Sequence, residues 1–176
     1  TIIGDSLMRI YNFTGYKTIG INYLGDIGLH IGKLIVAYEL WLDKKALEKD
    51  PIQELLRLYV KFNSHEKTEI TEGLEEEFQD NEWTQKAKEK LRLLELGDKK
   101  TEKIWKEIRN HSGKEFDKIY QMLNINFNET VGQSNFSKKG KEIIFNAIKK
   151  GLAKSEDDGA IYVLLNKQKK YILRSN

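Results

Sequence analysis

The chain of 176 residues has no cysteine and a single proline, Pro51. Without cysteine there is no disulfide, no thiolate metal ligand and no thiol nucleophile, a usage that suits a cytoplasmic protein. Histidine is sparse too. His30, His65 and His111 lie far apart and form no H-x-x-x-H pair, so no metal site is expected. Long hydrophobic runs are missing. The longest, Leu34 to Leu42, is broken by Glu39 and falls well short of the roughly 20 residues a bilayer span needs, so no membrane partner is expected. No secretory leader is visible, and neither G-x-x-x-x-G-K-[ST] nor G-x-G-x-x-G occurs. Charge of one sign is lacking as well. Lys+Arg 30 against Asp+Glu 27 leaves a net charge of only +3, which does not by itself imply a nucleic-acid partner. The local basic clusters Lys138, Lys139, Lys141 and Lys167, Lys169, Lys170 read as solvated faces.

What is present is an interrupted α/β pattern. Ile3, Leu7, Ile10 and Tyr11 recur at helical spacing from the first residues, and Gly15 suits a left-handed helix stop. Lys17 to Tyr23 reads as a buried strand. Ile31, Leu34, Ile35, Tyr38 and Leu42 then mark a second helix. From Lys44 to Leu123 the pattern is helical only. Asp50-Pro51-Ile52-Gln53 is a helix start in which Asp50 caps, Pro51 occupies the first turn and Gln53 completes a capping box. Glu72 to Asp80 reads as an acidic surface connection. A helix from Thr84 stops at Gly97, and the next spans Thr101 to Leu123, with Gly113 as a point of bending or division. Asn124 to Asn128 is a strand candidate, Ser137 to Lys150 a helix closed by Gly151, and Ala160–Leu165 with Lys170–Leu173 an antiparallel pair after an Asp157-Asp158-Gly159 turn. The division is 1–43 as a partial nucleotide-binding half, 44–123 as a helical insertion and 124–176 as the returning α/β region. A helix already under way at Thr1 and an apolar run ending just before Asn176 read as an internal piece of a longer protein. An open sheet edge on such a piece predicts self-association in isolation.

The chemistry-bearing stretch is Asn22-Tyr23-Leu24-Gly25-Asp26-Ile27-Gly28, which joins the strand to the second helix. Open α/β sheets place ligands in loops of this kind. Glycines let a backbone approach a ligand, and a carboxylate there can hold a cationic group, which makes Asp26 the leading candidate. Asn22 and Tyr23 at the strand end would line the same crevice, with Gly25 and Gly28 in the loop. The alternative is a plain strand-to-helix turn with Asp26 as a turn or capping residue. Gln133 and Ser134, between a strand and a helix, are further candidates. Trp41, Trp83 and Trp105 sit on helices and read as packing residues.

His30-Ile31-Gly32-Lys33 is similar to the H-I-G-H signature of class I aminoacyl-tRNA synthetases. Its last residue is lysine, however, and it follows what reads as the second strand, so it is taken as a chance match, with His30 kept as a candidate. The order of several other segments carries a fuller resemblance. Thr1-Ile2-Ile3-Gly4-Asp5-Ser6-Leu7, Gly15-Tyr16, Asn22-Tyr23-Leu24-Gly25-Asp26, Leu94-Glu95-Leu96-Gly97-Asp98 with Ile104-Trp105, and Phe116 to Phe127 come first. Gly132-Gln133-Ser134, Lys150-Gly151-Leu152, Asp158-Gly159-Ala160 and Leu173-Arg174-Ser175-Asn176 follow. Together they resemble the catalytic domain of arginyl-tRNA synthetase, with spacing similar to the archaeal and eukaryotic-type branch. Ile27 stands where relatives commonly have Trp, His30 where they commonly have Gln, and Gln133 where a Glu is frequent.

The resemblance implies an α/β fold: a partial Rossmann-like class I catalytic domain interrupted by a helical insertion. It implies an ATP-dependent ligase that makes arginyl-adenylate and passes arginine to tRNA(Arg). L-arginine, ATP and tRNA would be partners of the full-length protein, and Mg2+ would accompany ATP, with no tightly bound cofactor. Asn22, Tyr23, Gly25, Asp26 and Gly28 would border the active-site crevice. The true histidine signature would precede Thr1 and the arginine-gripping residues would follow Asn176, so this piece alone should be inactive. The alternative is a truncated, non-catalytic synthetase-like module that binds RNA or protein.

Overall fold

Thirteen residues with an unusually apolar composition organise the structure. They form helix α2 (Leu29–Trp41), which buries Ile31, Gly32, Ile35, Val36, Ala37 and Tyr38. A helix apolar nearly all round must be covered on several sides. In the computed structural model, which describes residues 1–70, 81–157 and 159–173, α4 (Pro51–Ile70), α5 (Glu82–Glu95) and α6 (Lys99–Met122) supply that cover. Leu55, Leu58 and Phe62 of α4, Ala87 of α5 and Ile104 and Ile108 of α6 complete one core. Among the described residues no helix is long and apolar enough to cross a membrane. The chain divides into two compact units, Thr1–Val131 and Gly132–Asn176.

In the first unit α1 (Ile2–Phe13) ends before Gly15, whose φ of +92° is the left-handed geometry expected there. None of its residues is buried. Strand β1 (Ile21–Leu24) is shorter than the expected Lys17–Tyr23 because side chains hold the preceding backbone. Asn12 Oδ1 accepts from the Thr18 N–H at 3.2 Å, and Asn128 Oδ1 accepts from the Gly20 N–H at 2.7 Å. The strand expected at Asn124–Asn128 is not formed. Asn124 is left-handed (φ 51°), and the Ile125 N–H returns to the Tyr120 carbonyl at 2.9 Å, so this stretch is spent on turning out of α6. The strand follows instead as β2 (Glu129–Gly132), which pairs with β1 in a two-stranded sheet.

The helical starts follow capping chemistry. Asp43 accepts from the Lys45 and Ala46 N–H groups and opens α3 (Lys44–Lys49), a short helix that begins the segment expected to be helical only and whose own cap was not foreseen. Asp50 accepts from the Gln53 N–H at 3.1 Å to open α4, while its own N–H goes to Ala46 O and not to the Gln53 side chain, which leaves half of the expected capping box. Asn81 caps α5 and Asp98 caps α6. Gly97 (φ +80°) ends the α5 segment as expected, and α6 runs through Gly113 without a break. The acidic connection Glu72–Asp80 lies outside the described residues.

Buried charges tie these helices together. Glu54, almost fully buried, accepts from both the Arg57 guanidinium (2.6 and 2.7 Å) and the Asp43 N–H (2.9 Å). The Arg57 hydrogen bonds hold its carboxyl below the usual range against the opposing effect of burial. Glu39 of α2 receives Lys90 of α5 and Lys100 of α6 at 2.6 and 3.0 Å. Burial alone would raise its pKa, but the two ammonium groups together lower it. Trp41 and Trp83 pack on His65 and on each other, as expected of packing residues.

In the second unit a 3-10 turn (Gln133–Phe136) leads into α7 (Ser137–Lys149), which ends before Gly151 at φ +69°. Strands β3 (Ala153–Ser155), β4 (Ile161–Leu165) and β5 (Gln168–Leu173) form an antiparallel sheet in that order. The expected antiparallel pair is therefore present, with β3 added. Asn166 and Lys167, at φ 51° and 67°, make the tight turn between β4 and β5.

Candidate functional site

The loop between β1 and α2 is held from above the chain by α6. The Trp105 indole N–H donates to the Asp26 carbonyl at 2.7 Å, and the Arg109 guanidinium lies 3.2 Å from the Asp26 carboxylate. Arg109 also stacks over the Trp105 ring, 5.4 Å from its centroid. The Asp26 side chain is only 6% exposed. A cation does meet this carboxylate, then, and it comes from the protein's own helix. One loop residue, Asp26, is thus held through its carbonyl and its carboxylate by α6 residues about 80 positions away, a separation at which sequence patterning carries no signal.

Gly28 closes the loop and caps α2. Its φ of +137° is open to glycine alone, and its carbonyl accepts from the Ile31 and Gly32 N–H groups at 3.0 and 3.2 Å. The exposed His30 ring lies 3.2 Å from the Gly25 carbonyl and braces the loop from the helix side. Gly25 itself faces open space. Asn22 and Leu24 of β1 line a cavity of about 410 Å³ whose far wall is α6, while Tyr23 points to the other side of the strand and is 58% exposed. Asn22, Gly25, Asp26, Gly28 and His30 are thus brought together around one loop. Gln133 and Ser134 belong to the second unit, where Gln133 is exposed and Ser134 half-buried in the 3-10 turn.

The His30-Ile31-Gly32-Lys33 run is used for packing. Gly32 sits where a Cβ would meet the Ala87 carbonyl oxygen at 2.1 Å, so it is the contact point of α2 with α5. The Lys33 ammonium is 2.5 Å from Glu66 of α4 and largely buried. Such a lysine serves the joint between helices. Among the described residues no three His, Asp or Glu side chains converge to hold a metal ion.

A family model described as tRNA synthetases class I (R), catalytic domain, matches residues 1–174. The chain belongs to that family. Relatives of the same kind are the arginine–tRNA ligases of Clostridium beijerinckii, 40% identical over 165 residues, and of Clostridioides difficile, 41% identical over 169. That of a Clostridium botulinum strain is 43% identical over 166 residues. These alignments take in 94–96% of this chain and 27–28% of each relative. The chain therefore spans little more than a quarter of the length of the curated relatives it matches. The solved arginyl-tRNA synthetase of Plasmodium falciparum aligns with TM-score 0.65 over 98% of this chain and 27% of its own, at 23% identity, a likeness of fold alone. The expected class I synthetase α/β fold and the family resemblance are both borne out.

Proposed function

We propose that this chain is part of the catalytic domain of a cytoplasmic, ATP-dependent arginine–tRNA ligase. The observation that carries the reading is the family match over residues 1–174, joined by relatives named arginine–tRNA ligase at 40–43% identity across nearly the whole chain. In the full-length protein the arginine carboxylate attacks the α-phosphate of ATP and pyrophosphate leaves. The terminal ribose of tRNA(Arg) then takes the arginyl group from the adenylate. Positioning and charge stabilisation supply most of the catalysis in such a reaction.

In this reading Asn22, Tyr23, Gly25, Asp26 and Gly28 border the crevice where the reactants meet, and His30, Gln133 and Ser134 are secondary candidates. The Asp26–Arg109 pair supports a positioning role for the loop, since a carboxylate already engaged by a guanidinium fixes backbone more readily than it binds a ligand. Mg2+ would enter with ATP. No ligand set for it converges among the described residues. The division into a first α/β segment (1–43), a helical insertion (44–123) and a returning α/β segment (124–176) belongs to this proposal, with α2 as the part of the first segment on which the insertion packs. The insertion would help place the acceptor end of the tRNA.

The test is ATP–pyrophosphate exchange by the full-length protein. Exchange that requires both L-arginine and tRNA(Arg) supports the proposal. Tight RNA binding with no exchange for any amino acid would instead favour a non-catalytic synthetase-like module. The isolated 176-residue piece is expected to show no exchange.

A further inference from the structure

We infer that the outward face of α6, from Lys99 to Asp117, grips the tRNA strand and takes one nucleotide against Gly113. The inference rests on the ligase reading for the identity of the RNA, and adds where on this chain the strand lies.

The first observation is the layout of charge. Thr101, Ile104 and Ile108 turn the inner face of α6 into the core. Lys99, Lys103, Lys106, Asn110 and Lys114 follow one another at spacings of three and four along the opposite face, and all are exposed. They make a single row, rising about 4.5–6 Å per step. Of the acidic groups near this row, Asp117 is exposed, follows Lys114 by three residues and lines the cavity between α6 and β1, where a carboxylate can accept from a ribose hydroxyl or a base amino group, and Glu107 and Glu102 are paired. Glu107 accepts from the Tyr38 hydroxyl at 2.8 Å, and Glu102 meets Lys106 at 2.6 Å, a solvent-exposed pair that a phosphate can displace. Lys99, Lys103 and Lys114 have no ion pair among the described residues. A row of exposed ammonium groups on a rigid helix, three of them without an ion pair, fits a phosphate backbone, whose charge repeats along a line.

The second observation is Gly113. A glycine inside a helix weakens it relative to alanine, so it needs a reason. Packing does not supply one, because a Cβ there would meet nothing within 4 Å. The space it leaves belongs to the cavity of about 410 Å³ between α6 and β1. That volume lies in the range of small-molecule sites and suits one nucleotide. Its walls offer Phe116, 41% exposed, as a face on which a base can stack, and Asn22 and Asn110 as hydrogen-bonding groups. Lys106 and Lys114 stand at its rim for the flanking phosphates. The row of lysines and the unfilled glycine point to the same occupant, a strand that passes along α6 and places one base beside Gly113.

The experiment uses the full-length protein and a tRNA(Arg) transcript, with binding measured by filter retention across a salt series. Lys103→Gln with Lys106→Gln should weaken binding about 5- to 20-fold and flatten the log–log salt dependence by about 1.4, the loss of two phosphate contacts on a single strand. Lys103→Arg with Lys106→Arg should restore both. Gly113→Ala should raise the unfolding temperature and yet weaken tRNA binding several-fold, with a higher KM for tRNA and an unchanged KM for arginine. The opposite signs separate a binding role from a structural one. The inference is overturned if Gly113→Ala stabilises the protein and leaves tRNA affinity as it was, or if the lysine variants keep the parent's salt slope. A parent protein that shows no arginine-dependent exchange and binds no tRNA would overturn the ligase reading itself.

Discussion

Gly32→Ala tests the packing of the helical core at its tightest point. The added carbon would stand 2.1 Å from the Ala87 carbonyl oxygen and 3.0 Å from its carbon. Ordinary contact begins at 3.4 Å, so α2 and α5 must separate by about 1.3 Å locally. The obstacle is main chain inside a helix and cannot swing aside as a side chain would. Around it Ile35 and Ala87 are fully buried, so the shift is paid across a close-packed layer. Overpacking of this kind costs about 1–3 kcal/mol, and the better helix propensity of alanine returns about 1 kcal/mol. A backbone clash falls at the upper end, leaving a net loss of roughly 1–2 kcal/mol. For a chain of this size that lowers the unfolding temperature by about 2–8 °C. Gly113→Ala is the matched control, since it makes the same chemical change in open space and should stabilise by up to about 1 kcal/mol. Thermal unfolding followed by circular dichroism on the two variants and their parent reads the contrast. Equal stabilisation by both substitutions would refute the close approach of α2 and α5.

Other outcomes follow from the same contacts. Glu54 and Glu39 have folded-state pKa values below their unfolded ones, so the stability they add is present above about pH 4.3 and is lost as pH falls through their lowered values. Acid unfolding of Glu54→Gln should therefore begin from a lower stability at pH 7 and show a shallower fall below pH 4.3, and an unchanged acid profile would count against the Arg57 pairing. Tyr38→Phe removes the donor to Glu107 and should cost about 1.5–3 kcal/mol in urea unfolding, the net worth of a hydrogen bond to a charged group. Asp26→Asn should loosen the loop and speed amide exchange at Gly25–Gly28, whereas protection equal to the parent's would show that Arg109 does not hold it. The isolated piece should self-associate, because α1 exposes Ile3, Leu7, Ile10 and Phe13 on the surface, and light scattering that gives a clean monomer would contradict this.

Local signals in the sequence were legible wherever one residue sufficed. Asp50 and Pro51 mark the start of α4, and Gly15, Gly97 and Gly151 mark three helix ends, because caps and left-handed turns are set by the residue at the spot. The β4–β5 pair was readable from its short polar link. Elements decided by distant partners were not readable. The start of β2 follows Asn128 reaching Gly20, 108 positions away, whereas α3 opens on a local cap, Asp43, that sequence reasoning missed and that Glu54 supports across the turn. At the candidate site the loop itself was visible from its glycines and aspartate. Its clamp was not, because Trp105 and Arg109 look like ordinary residues of an amphipathic helix until α6 is folded against the loop. Gly32 was legible only as part of a motif look-alike, and its packing role needs Ala87 in place.

The most direct test of the central claim is aminoacylation by the full-length protein, scored as acid-precipitable radiolabelled amino acid on tRNA. Charging with arginine, dependent on ATP, is expected, with none for lysine or glutamine. Charging with another amino acid, or none with arginine under conditions where the protein is folded and binds tRNA, would contradict that claim.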